Sequence, residues 1–138
     1  MNRSALFFTI IPVVAVAYVI SRLVHKQLTA PEIVGLILMI AGAILMTIAR
    51  IQLGNSFSIS PQAKELVTRG LYSKIRNPVY VSGVILIVGM FLCIDRPKLL
   101  WVFAILIPLQ VVRARAEAKV LEARFGDAYR QYRAHTWF

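Results

Sequence analysis

The sequence predicts an all-α integral membrane protein with four transmembrane helices, a cytoplasmic loop between the second and third, and a charged tail of amphipathic helices. Three observations lead there. The 138 residues are 59% hydrophobic and only 16% charged, with a mean hydropathy of +0.71, beyond what a water-soluble chain of this length carries. The apolar residues gather in four runs, about 5–24, 33–50, 79–94 and 98–112. Each is near the roughly 17–25 residues that cross a hydrocarbon core, and the last two cross by tilt, by local thinning or by continuing as polar helix. The basic residues divide unequally between the two sides. Arg3, Arg50, Lys64, Arg69, Lys74, Arg76, Arg113, Arg115, Lys119, Arg124, Arg130 and Arg133 fall on one, and only Arg22, Lys26, Arg96 and Lys98 on the other. Lys and Arg collect in loops kept in the cytoplasm, so both termini and the loop 51–78 are expected there. The bilayer thus explains the net charge of +10, and no nucleic-acid partner is expected. The whole chain, 1–138, reads as one membrane domain.

The first run resembles a signal peptide at Arg3 and Ala15-x-Ala17, but it continues through Tyr18-Val19-Ile20 and three more runs follow, so it reads as a retained helix ending near Ser21-Arg22. Thr29 caps the second helix and Pro31 fits its first turn. Inside that helix Ile40 to Ile44 supplies small residues that let another helix approach closely. The stretch 51–78 is too polar to cross and long for a connection without a task. Asn77 and Pro78 read as the cap and first turn of the third helix, a place where free N–H groups and partial positive charge favour an anion. Around 95–98 a tight turn leads into the last span, with Pro97 starting it. In the tail, Val120, Leu121, Phe125, Tyr129 and Tyr132 recur at nearly helical spacing, giving one face for the membrane surface or the loop. Gly126 followed by Asp127 reads as a stop and a fresh cap, splitting the tail into two helices.

None of the six acidic residues falls inside an apolar run, which counts against proton or cation transport. Cys93 stands alone and has no metal-ligand partners at a useful spacing, so neither a disulfide nor a metal is expected. Arg113 and Glu117 share a helix face where the last span leaves the membrane. Spacing alone fits either an exposed ion pair or a divided grip on a ligand, Arg113 on a carboxylate and Glu117 on a sugar or amine.

An ordered set of residues resembles the isoprenylcysteine carboxyl methyltransferase family and its bacterial relatives, which themselves resemble phospholipid N-methyltransferases. It comprises Leu66, Val67, Thr68, Gly70 and Tyr72; then Arg76, Asn77, Pro78 and Tyr80; then, after a membrane hairpin, Arg113, Glu117, Leu121, Phe125, Gly126, Tyr129 and Tyr132. The resemblance implies an integral methyltransferase of a bacterial inner membrane, with S-adenosylmethionine in a cytoplasm-facing pocket and S-adenosylhomocysteine as product. Carried over residue by residue, Lys64, Glu65, Leu66, Val67 and Tyr72 would line that pocket. Asn77, Pro78, Val79 and Tyr80 would form its helix-start wall, Glu117 would bind the cofactor, and Arg113 would orient the carboxylate of a lipophilic acceptor. Asn77 stands where the family usually has His, and Ala118 where a second Glu is common. A sulfonium methyl is already activated and a carboxylate already ionised at neutral pH, so an acid acceptor needs no catalytic base and positioning dominates. The alternatives are N-methylation of a phospholipid or other small lipid, which needs a neutral amine, and a non-catalytic four-helix transporter or scaffold.

Overall fold

A computed structural model describes residues 3–24, 27–54, 65–94 and 97–137, without the side chains of 3–9 and Pro97. Among these residues the regular elements are all helical, with no strand. The helices are α1 (Arg3–Leu23), α2 (Ala30–Leu53), α3 (Pro78–Cys93), α4 (Phe103–Phe125) and α5 (Asp127–Ala134), with 3-10 turns at Gly70–Ser73 and Pro97–Val102.

Helix starts follow the sequence. At α2, Glu32 reaches back so that its Oε2 accepts from the backbone N–H of Thr29 at 2.8 Å and from the Thr29 hydroxyl at 2.9 Å, quieting donors that the first turn leaves open. Pro78 opens α3 where its missing N–H costs nothing, and Asn77 occupies the cap position. The expected side-chain capping hydrogen bond is absent, and the Asn77 backbone stands at φ −123° and ψ 59°.

The tightest contact in the fold is α2 against α3, with α1 laid on α2. Val19, Leu23, Met39, Leu86 and Cys93 form the buried cluster between the three. Glycine sets the crossing distance. A Cβ on Gly42 would lie 2.6 Å from the backbone nitrogen of Leu86, and one on Gly89 would strike the backbone of Met39. The small residues expected to admit a neighbour at 40–44 do so, and α3 contributes its own.

Two helices are long and apolar enough to cross a membrane by length and composition, Ala30–Leu53 and the stretch Lys98–Phe125. The fourth run begins as a 3-10 turn, and α4 then runs unbroken from Phe103 to Phe125, continuing past 112 as polar helix. Nothing at 113 stops a helix, and the first residue able to do so is Gly126, which adopts φ +51°. The bend therefore falls where the sequence puts it, but Gly126 itself occupies the cap position of α5 and Asp127 sits in its first turn, accepting from Arg130 at 3.1 Å.

Replacing Gly89 with Val should force α2 and α3 apart and cost about 1–3 kcal/mol. The change would be read as a lowered unfolding temperature in detergent, with the exposed Ile37→Ala change leaving that temperature nearly unmoved.

Candidate functional site

The 3-10 turn 70–73, the start of α3, the polar half of α4 and α5 converge at one end of the molecule. Gly70 turns the chain with φ +61°, a conformation a side chain would resist. Tyr72 follows and is buried. Burial pushes its phenol well above the usual tyrosine range, with the neighbouring Tyr132 and Glu117 adding to the shift and Arg50 opposing it. The carbonyl of Tyr72 accepts a hydrogen bond from the Tyr132 hydroxyl at 2.7 Å, fastening the turn to α5.

The chain end closes the same corner. The Trp137 N–H donates to the Lys74 carbonyl at 2.8 Å and the Arg76 N–H donates to the Trp137 carbonyl at 3.0 Å, an isolated parallel bridge between Ile75 and Trp137. Residues 74–76 are thereby fixed just before the first turn of α3.

Across from them, the Tyr80 hydroxyl donates to Oε1 of Glu117 at 2.6 Å, a length typical of a hydroxyl on a carboxylate. Arg113, one turn earlier on α4, lies within interaction reach of the same phenol.

Between these elements lies a cavity of about 550 Å³, within the range of small-molecule sites. Its wall includes Asn77 and Glu117 among the residues singled out in the sequence, together with Arg76, Arg115, Lys119 and Arg133. Cations outnumber carboxylates there, since Glu122, the other acid in the wall, is held by Arg130 at 2.9 Å. Nε of Arg76 is buried and has no hydrogen-bond partner among the described residues, a donor left over in the cavity wall.

The other expected residues that the structure describes are not in the cavity wall. Tyr72 and Tyr80 stand one hydrogen bond behind its wall, through Tyr132 and Glu117. Pro78 is buried at the helix start, Val79 and Arg113 are half-buried, Leu66 and Val67 are half-buried in the segment leading to the turn, and Glu65 is exposed. Lys64 lies outside the described residues. The reading of the sequence placed Arg76 in the motif that carries the resemblance but gave it no role at the site, and it missed Gln52, at the end of α2, which has no local signature.

The family model for phospholipid methyltransferase matches residues 31–128, from the first turn of α2 to the start of α5. No curated protein and no solved structure matches the chain.

Tyr132→Phe should remove the tie to Tyr72 and speed amide exchange in 70–76, with a stability loss of about 0.5–1.5 kcal/mol. Burial, with Tyr129 adding and Arg76 opposing, pushes the Tyr132 phenol up to about 12 from an ordinary value of 10. An acid whose pKa rises on folding binds its proton more tightly in the fold. Its contribution is therefore intact below pH 10 and lost as pH climbs through about 12. A phenolate absorbance titration of the wild type should show a late-titrating component that Tyr132→Phe lacks.

Proposed function

The chain belongs to the phospholipid methyltransferase family, and from that premise we propose that it is a membrane methyltransferase using S-adenosylmethionine to methylate a lipophilic acceptor. The observation that carries the reading is the Tyr80–Glu117 hydrogen bond, which joins the start of α3 to α4 beside a cavity whose wall holds Asn77, Glu117 and the spare Nε of Arg76. The donor set suits the cofactor's three chemistries. Glu117 offers a carboxylate to ribose hydroxyls or to the amino group. Arg76, with Arg133 near it in the wall, offers N–H donors to the aminoacyl carboxylate. Tyr129 and Tyr132 supply aromatic surface for the base. When bound, the cofactor supplies an activated methyl group. The protein's part is to align acceptor and methyl and to exclude water, an effect worth several kcal/mol at well-oriented sites.

In this reading α1, α2, α3 and the 97–125 helix all cross the bilayer. At about 1.5 Å per residue the 16 residues of α3 reach about 24 Å, so α3 crosses where the bilayer thins or where its ends take up the difference. The exposure of α4 supports membrane embedding: it has no buried residue, and Ile105 and Leu109 are 74% and 53% exposed. A bilayer accepts such a surface and water does not. The cavity, the loop 51–78 and both termini then face the cytoplasm, as the distribution of Lys and Arg requires. In this reading Glu65, Leu66, Val67, Tyr72, Pro78, Val79 and Tyr80 complete the shell that shapes the cofactor site.

For the acceptor, the preferred reading is a carboxylate of the isoprenylcysteine type, oriented by Arg113, because the cavity rim is rich in cations and the transfer then needs no base. The family's description favours a second reading, N-methylation of a phospholipid head group. There an ammonium must first lose a proton, and Glu117, which accepts from the Tyr80 hydroxyl, is a carboxylate in the cavity wall.

Calorimetry on the folded wild type in detergent should detect S-adenosylmethionine, with Glu117→Gln weakening binding by about tenfold, the loss expected of a charged acceptor. Methyl-labelled cofactor supplied with lipid extract then separates the acceptors: label released by mild alkali is a methyl ester, and label that survives is on nitrogen. Folded protein without measurable binding would overturn the proposal.

A further inference from the structure

Tyr72 is held on its α5 side by Tyr132, but the turn that carries it is also held from the opposite direction. Gln52 lies in the last turn of α2, and its Oε1 accepts the backbone N–H of Leu71 at 2.8 Å. The two residues are 19 apart in sequence, and the segment joining them passes outside the described residues, so the bond is a direct bridge from a long apolar helix to the turn. The amide lies flat over Gly70: a Cβ there would meet Nε2, Cδ and Oε1 of Gln52 all at once. Gly70 is therefore glycine for two reasons, its φ of +61° and the space its neighbour fills. The end of α2 is itself pinned, with Nη1 of Arg50 donating to the Gly54 carbonyl at 3.0 Å.

The consequence lies one residue along. Leu71 N–H sits at the opening of the 3-10 turn, where donors lack partners within the turn, and Tyr72 is the next residue. Fixing Leu71 fixes the direction of the Tyr72 side chain and the carbonyl that Tyr132 uses.

We propose that Gln52 is a positioning residue for the cofactor site, a side-chain bridge that sets the turn carrying Tyr72 against the end of α2. It touches no reacting atom. This inference rests on the methyltransferase reading for the meaning of Tyr72, while the bridge itself does not. Because Gln52 acts through the shape of the cofactor wall, its loss weakens cofactor affinity and leaves turnover at saturating cofactor near the wild-type rate. The part of the amide that matters is the acceptor oxygen, so Glu replaces it and Met, similar in volume, does not.

The test uses the full chain in detergent and two measurements. Hydrogen exchange reads the Leu71 amide, and S-adenosylmethionine titration reads Kd and KM against kcat. Gln52→Met should expose Leu71 to exchange while α2 and α3 remain protected, and should raise Kd and KM by roughly three- to tenfold with kcat within about twofold. Gln52→Glu should restore both. If the Met variant does not fold, Gln52→Asn, one methylene too short to reach Leu71, takes its place with the same expectation. Unchanged Leu71 exchange overturns the bridge, and faster exchange with wild-type Kd and KM overturns the positioning role. Loss in the Glu variant equal to that in Met overturns the acceptor argument. A folded wild type that binds no S-adenosylmethionine instead brings down the function reading, and with it this role for Gln52, whatever Leu71 does.

Discussion

A single short hydrogen bond, from the Tyr80 hydroxyl to the Glu117 carboxylate at 2.6 Å, connects two parts of the chain that are otherwise built separately. One is the α1–α2–α3 cluster, held by its own core. The other is α4 with α5, whose packing against the first is slight apart from this corner. A hydroxyl on a carboxylate is among the stronger neutral–ionic contacts, and at a half-buried site it is poorly screened. It fixes the polar half of α4 against the start of α3, beside the cavity between them. The ties from Tyr132 to Tyr72 and from Trp137 to Lys74 and Arg76 then finish a frame that this bond begins.

The apolar part of the molecule serves that frame by placing the start of α3. Gly42 and Gly89 let α2 and α3 approach until backbone meets backbone, so the two helices move as one body. That body carries the functional corner at one end: Gln52 and Arg50 finish α2, and Pro78 begins α3 beside them. A membrane bundle whose close packing comes from glycines rather than large side chains sets such distances tightly, because a backbone has no rotamers to trade.

Much of this was legible in the sequence because it is written in local chemistry. Apolar runs placed α1 to α3 to within a few residues, Thr29 and Pro31 announced α2, Pro78 announced α3, and Gly126 marked the bend. Val112 ends an apolar run, but polarity alone does not end a helix, and α4 continues to Phe125 as the helical composition of the tail suggests. Asn77 has the chemistry of a cap and takes the cap position, but its side chain makes no capping hydrogen bond. Contacts between residues distant in sequence left no pattern to read, and the bridge of Ile75 to Trp137 and the bond of Leu71 to the Gln52 side chain belong to that kind. At the site, the pairing of Asn77 and Glu117 across one cavity followed from the resemblance. Arg76 belongs to the motif, but nothing in the sequence shows that its Nε is buried in the cavity wall.

The account stands on the idea that the start of α3 and the α4–α5 bend together hold one sulfonium nucleoside. Ultraviolet crosslinking of methyl-labelled S-adenosylmethionine to the purified full chain, followed by peptide mapping, tests it most directly. The account predicts label on peptides containing 76–80, 113–122 or 129–133, competed away by excess S-adenosylhomocysteine. Competed label confined to α1, or no competed label on folded protein at high cofactor concentration, would contradict it.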